Sequence, residues 1–165
     1  MLHVVMLGGS HPRARIELHD VVFVDTPHLA DAHAELRRQW FGDPRGVHID
    51  SWMEVDGIDG YQVRFSTTAP VADAPRLYFL NLGGYVNGEF GEAHRYLLVV
   101  ATNATQAKAK ARALARDITW QLPHVDAVLQ VDDCLPVDRV DGRYVALVQG
   151  PHLATAQHSD YIKLS

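Results

Sequence analysis

Two short patterns place a carboxylate and an imidazole two residues apart: Glu17-x-His19 and His48-x-Asp50. In an extended chain, residues two apart face the same side, about 6.5–7 Å from each other. Each pair therefore offers an acid and a base to one face. Neutral imidazole nitrogen and carboxylate oxygen are good ligands for zinc, iron, manganese or nickel. Without a metal the same groups can transfer protons. Both patterns recur. Glu92-x-His94 follows the first at an offset of 75, and His124-x-Asp126 follows the second at an offset of 76. Leu7-Gly8-Gly9 returns as Leu82-Gly83-Gly84, and Leu2/Leu77 and Val24/Val99 keep the offset of 75. Val55-Asp56 returns as Val131-Asp132 at 76. A chain that repeats its core pattern reads as one fold made twice.

A divalent metal would take His19, His48, His94 and His124 as nitrogen ligands, with Glu17, Asp50, Glu92 and Asp126 as oxygen ligands. The halves could hold one site each, or share one at a pseudo-dyad. The same pairs could equally be hydrogen-bonded polar pairs that finish strand ends, and Asp50 and Asp126 could cap turns. Gly8-Gly9 permits a tight turn whose amides could meet an anion. Arg13 and Arg15 follow it and favour a phosphate or carboxylate, whereas the second half carries Glu89 in that loop and no arginine. Neither loop is a dinucleotide or P-loop fingerprint. Cys134 follows Asp132-Asp133, and adjacent carboxylates raise a thiol's pKa, so a nucleophilic role is not expected. No Gly-x-Ser-x-Gly elbow accompanies Ser10 or Ser51.

The elements that must position these residues follow from pattern. Strands are expected at Leu2 to Leu7, Asp20 to Asp25, Val47 to Val55 and Tyr61 to Phe65. Gly8-Gly9 is expected to end the first of them. Thr26-Pro27 offers an N-cap and a first-turn proline for a helix bearing Leu29, Leu36 and Trp40, ended by Gly42. In the 47–55 strand, His48, Asp50, Trp52 and Glu54 share a face, so Trp52 could wall a pocket. The second half predicts strands at Leu77 to Leu82, Arg95 to Ala101, Val125 to Val131 and Tyr144 to Val148. Its helix follows Asn103, with Gln106 in the capping-box position and Ala107, Ala111, Leu114 and Ile118 as the apolar stripe. Asp59-Gly60 and Asp141-Gly142 read as hairpin turns, which demand antiparallel neighbours. The expected class is α+β: two tandem ββαββ-like repeats with pseudo-two-fold symmetry, a mostly antiparallel sheet and two helices. The repeats span 1–66 and 77–149, joined by a 67–76 linker containing Pro70 and Pro75. A 150–165 tail has no counterpart and either docks through Tyr161 and Leu164 or frays.

The chain has 165 residues, 47% hydrophobic and 21% charged, an ordinary globular composition. Halves of this size are marginal alone and are expected to pack as one compact unit. The net charge of −5 argues against nucleic acid as a partner, and no apolar run is long enough to span a bilayer. The N-terminus reads as a strand rather than a signal peptide. The single cysteine excludes an internal disulfide and favours a cytoplasmic setting.

Several segments resemble a bacterial family catalogued as domain of unknown function 1543. They are Leu7-Gly8-Gly9, Glu17-Leu18-His19-Asp20-Val21, Gln39-Trp40-Phe41-Gly42-Asp43-Pro44, His48-Ile49-Asp50-Ser51, Asn81-Leu82-Gly83-Gly84-Tyr85, Phe90-Gly91-Glu92 and Val131-Asp132-Asp133-Cys134. The resemblance covers nearly the whole chain except the tail. It implies one or two copies of a module, two here, and a bacterial cytosolic origin. It carries over no activity, substrate or cofactor.

Three readings follow. The first is a binding protein that holds a small polar ligand or a divalent metal between the two repeats, on Glu17, His19, His48, Asp50, Glu92, His94, His124 and Asp126. The second is an interaction module without a small-molecule site. The third is a hydrolase or isomerase of small molecules, with His19 or His94 as base and His48–Asp50 as a second acid–base pair. A homo-oligomer is compatible with each.

Overall fold

The computed structural model describes residues 1–85, 88–117 and 130–164. Its elements are β1 (Leu2–Gly9), β2 (Leu18–Asp25), a 3-10 turn (Leu29–Ala32), α1 (His33–Gln39), β3 (His48–Val55), β4 (Gly57–Ile58), β5 (Tyr61–Ser66), β6 (Arg76–Tyr85), β7 (Glu92–Ala101), α2 (Ala104–Asp117), β8 (Gln130–Pro136), β9 (Arg139–Val140), β10 (Arg143–Gln149) and β11 (Ala156–Lys163). The class is α+β, with two α-helices among the described residues. The pairs β1–β2, β1–β3, β3–β11, β4–β5, β6–β7 and β6–β8 are all antiparallel. No helix among the described residues is long and apolar enough to cross a membrane. The chain divides into two compact units. One is Met1–Arg64 with Val140–Arg143 and Val148–Ser165; the other is Phe65–Arg139 with Tyr144–Leu147.

The first unit is built on a sheet of order β11-β3-β1-β2. β1 is central and buried on both faces, which is why Leu2 to Leu7 reads as a nearly continuous apolar run. Val5 and Leu7 face the helix side with Val22, Val24 and Ile49, packed against Ala32, Leu36 and Trp40. The helix starts later than its expected cap. The Thr26 hydroxyl donates to the His28 carbonyl at 2.9 Å instead of capping, and a 3-10 turn intervenes. α1 ends at Trp40, which turns extended and packs inward, two residues before Gly42.

The two glycines of β1 are strand residues and do not end it. A Cβ on Gly9 would lie 2.9 Å from the Trp40 ring. Glycine there admits the indole, whose Nε1 donates to the Asp43 carbonyl at 3.1 Å. Gly8 and Gly9 are paired within the ladder, so no turn of free amides forms there. The two-residue turns do form as expected: Asp59 and Gly60 have φ of 53° and 80°, and Asp141 and Gly142 have 49° and 79°. Two successive positive φ values give the primed turn that matches strand twist.

The tail is strand β11. It pairs with β3, the Leu164 amide donates to the Val47 carbonyl at 3.1 Å, and Leu164 is buried in the core. The Arg37 guanidinium donates to the Leu164 carbonyl at 2.7 Å, tying the tail to α1.

The second unit carries a sheet of order β7-β6-β8 covered by α2. The Asn103 side chain accepts from the Gln106 amide at 2.9 Å, and the Gln106 side chain accepts from the Thr102 amide at 2.8 Å. This is the reciprocal N-terminal cap that the sequence predicts, shifted by one residue on the return arm. The buried stripe of α2 is Ala107, Ala111 and Ala115. Leu114 is exposed, contrary to expectation, because steps of four carry the stripe to 115. Ile118 lies outside the described residues. Alanines let the helix sit close on Tyr78, Leu80 and Leu82. The Cys134 thiol is pushed up chiefly by burial, and nearby Lys108 opposes this weakly; the direction is the expected one, but the cause is burial and not the neighbouring carboxylates.

His3 is buried on β1, and burial, the largest cause, holds its pKa below 6.5. The Met1 amino group and His28 act the same way, against Glu54 and a backbone hydrogen bond to Met1. The unfolded chain then takes up a proton that the folded one resists. His3 therefore contributes full stability above the unfolded value of 6.5 and loses it as pH falls toward the lower folded value. Chemical unfolding measured on both sides of that value should show stability dropping on the acid side. His3→Leu should flatten that part of the slope.

Candidate metal site

The first cluster forms where three strands meet. Gly8 of β1 pairs with His19 of β2 on one side and with His48 of β3 on the other. Paired residues share a sheet face, and Gly8 alternates with Leu7, so this face is the one away from α1. Asp50 arrives by a bulge. The register runs Met6–Ser51 and then Leu7–Ile49, leaving Asp50 as the extra residue of β3. Such a bulge re-aims a side chain. It also moves Trp52 onto the helix face with Val5, where it packs on the core and stacks on His158 at 4.8 Å. Trp52 therefore does not wall a pocket with His48.

The distances are tight. His48 Nε2 lies 3.3 Å from Glu17 Oε1 and 3.3 Å from Asp50 Oδ1. His19 Nε2 lies 3.2 Å from Asp50 Oδ2 and 3.4 Å from Glu17 Oε1. Glu17, His48 and Asp50 each bring a ligand atom within 4.8 Å of the other two. Four donors bonded tetrahedrally at 2.0–2.1 Å stand about 3.4 Å apart along each edge. The His48 contacts to Glu17 and Asp50 match that edge, while His19 reaches the other Asp50 oxygen.

The tautomer of the His48 ring is set by its other nitrogen. Nδ1 lies 2.8 Å from the Gly46 carbonyl, which can only accept. Nδ1 thus carries a hydrogen, which leaves Nε2, the nitrogen facing the two carboxylates, as the one that can bind a metal. Gly46 adopts φ of 81°, a left-handed conformation that glycine takes without strain. The preceding turn is held by Arg45, whose guanidinium and amide keep the Asp43 carboxyl down to about 2. His48 is 2% exposed, and its Nε2 has no hydrogen-bond partner. Asp50 Oδ2 is likewise buried and accepts no hydrogen bond, with His19 Nε2 3.2 Å away. Acceptors converging this closely repel unless a positive charge sits among them. Gly8 leaves the room for it: a Cβ there would lie 2.4 Å from Asp50 Oδ2, 2.6 Å from His48 Nε2 and 3.1 Å from Glu17 Oε1. Glu17 and His19 are half exposed, so the outer side opens to solvent.

The second unit repeats part of this. Gly83 pairs with His94 and with Gln130, and a Cβ there would lie 2.2 Å from Asp132 Oδ2 and 2.4 Å from Glu92 Oε1. His94 Nδ1 is 3.0 Å from the Asn81 side-chain oxygen and 3.7 Å from Asp132. Asp132 is a bulge residue like Asp50, and Val131 pairs with Leu82 as Ile49 pairs with Leu7. Gln130-x-Asp132 thus occupies the ladder position of His48-x-Asp50, at an offset of 82 and not 76. His124 and Asp126 lie outside the described residues. Arg13 and Arg15 are exposed on the loop between β1 and β2, and among the described residues neither makes an ion pair.

Sequence reasoning names two further residues without placing them in the clusters. Tyr161 of β11 places its ring 4.3 Å from that of His48, and Asp132 completes the second cluster. A carboxylate one residue after an apolar strand position is the available signal for Asp132.

The model of the Domain of Unknown Function (DUF1543) family matches residues 14–65. A crystal structure of protein Il1583 from Idiomarina loihiensis is 32% identical, superposes with a TM-score of 0.75, and is matched over 99% of this chain and 97% of its own. The chain belongs to the DUF1543 family. All four donors of the first cluster lie inside the segment matched by the DUF1543 model. No curated protein matches the chain.

Proposed function

We propose that this DUF1543 protein binds a divalent transition metal on Glu17, His48 and Asp50, with His19 as a fourth donor on the exposed side. The observation that carries this reading is the buried His48 Nε2. Its tautomer is set by Gly46, it has no hydrogen-bond partner, and it faces two carboxylates across the space over Gly8. The mixed nitrogen and oxygen set suits zinc, manganese, iron, cobalt or nickel better than calcium or magnesium. We read the two units as one module made twice. In the second, Gln130 stands where the first has its buried imidazole, so one metal per chain is the expected stoichiometry.

Protein purified without an affinity tag should carry about one equivalent of a divalent transition metal. Stripped protein should gain stability on adding zinc, manganese or nickel, by about 2.7 kcal/mol at a hundredfold excess over Kd. His48→Ala should lose both effects. Less than about a tenth of an equivalent, with no thermal shift from any of these metals, rejects the reading.

A further inference from the structure

We propose that the bound metal and Lys163 together form a binding site for a small oxyanion, a carboxylate or phosphoryl group; this rests on the metal reading above. Four strands place Lys163, His48, Gly8 and His19 in one cross-strand row. Directly paired residues share a sheet face with Cβ atoms about 5 Å apart. Lys163 therefore rises from the same face as the cluster, beside His48. It is exposed, and among the described residues no carboxylate pairs with it.

Tyr161 is two positions along on the same strand, with its ring packed against His48. Together they give the cluster a cationic and aromatic border that β1, β2 and β3 do not supply. The β11 register explains how. Ser159 pairs with Ser51 and Ile162 with Ile49, so Asp160 and Tyr161 together face Asp50. The bulge on β11 lies opposite the bulge that delivers Asp50.

Charge then sets the order of binding. The empty cluster carries two carboxylates and repels anions. A divalent cation cancels their charge, and its solvent-facing side can accept an oxygen ligand while Lys163 donates a charge-assisted hydrogen bond to the same anion. Metal and anion must therefore strengthen each other's binding by the same factor. Among the described residues the second unit's sheet has no strand beyond β8, hence no counterpart of Lys163 there.

The test uses full-length protein loaded with Co²⁺, whose visible bands report its ligands. Inorganic phosphate and acetate are titrated at constant ionic strength, with retained cobalt measured by dialysis. The expected result is a saturable band shift with cobalt retained. Lys163→Met should weaken anion binding about tenfold or more while keeping cobalt, and Lys163→Arg should restore most of it. Tighter phosphate than acetate assigns a phosphoryl ligand, and the reverse a carboxylate. Cobalt that binds but ignores both anions overturns the proposal and leaves the metal reading standing. So does a Lys163→Met protein that titrates like wild type. Failure to load cobalt overturns both.

Discussion

Gly8→Ala is expected to abolish metal binding while the protein still folds. The methyl group would enter the space where Asp50, His48 and Glu17 converge, 2.4, 2.6 and 3.1 Å from their donor atoms. A metal at 2.0–2.2 Å from the same donors cannot share that space. Perturbing residues behind a metal's ligands already costs 10–100-fold in affinity. Filling the metal's own position should cost more than about a hundredfold. The stability cost should fall within the roughly 1–3 kcal/mol for overpacking, because the closest contacts are to Asp50 and to the buried His48, which must shift. Gly9→Ala is the matched control. Its methyl meets the Trp40 ring in the core, so it should destabilise the first unit yet still bind metal. Calorimetric titration with zinc, together with urea unfolding of both variants, separates the two effects.

Leu164→Ala should destabilise the protein and the site together through the loss of one buried side chain. Leu164 is 3% exposed and packs in the core beneath β1 and β3. Truncating a buried leucine costs about 2–5 kcal/mol, depending on how far the cavity collapses. β11 is an edge strand of its sheet and can settle toward the cavity. A cost of about 2–3 kcal/mol is therefore expected, read as a fall in urea midpoint at unchanged m-value. The functional consequence is specific. Leu164 anchors β11, which sets Tyr161 against His48, so metal affinity should fall with it even under conditions where the protein remains folded. A Leu164→Ala protein that unfolds like wild type would mean that the tail does not hold the site.

Much of this is legible in the sequence. The offset of 75 that links Gly8 to Gly83 and His19 to His94 is preserved in the ladders, where both glycines pair with their histidines. The Asp-Gly pairs form the expected hairpins, because few sequences other than Asp-Gly tolerate two positive φ values in a row. The paired spacing groups Glu17, His19, His48 and Asp50, and they do converge. What escapes has a physical reason in each case. A bulge leaves no mark on alternation, so the pattern alone puts Trp52 on the wrong face and keeps Asp132 apart from Glu92 and His94. The glycines read as turn residues because close approach of a side chain and a positive φ call for the same residue type. The tail pairs largely through its backbone, which any sequence can do, so Tyr161 and Lys163 give no sign of lying beside His48.

The most direct test is anomalous diffraction from a crystal of the untagged protein soaked in zinc, with data collected at the zinc edge. The predicted result is one strong peak over Gly8, about 2.0–2.2 Å from His48 Nε2 and from one oxygen each of Glu17 and Asp50. An empty position over Gly8, with zinc only at surface histidines such as His11 or His152, would contradict it.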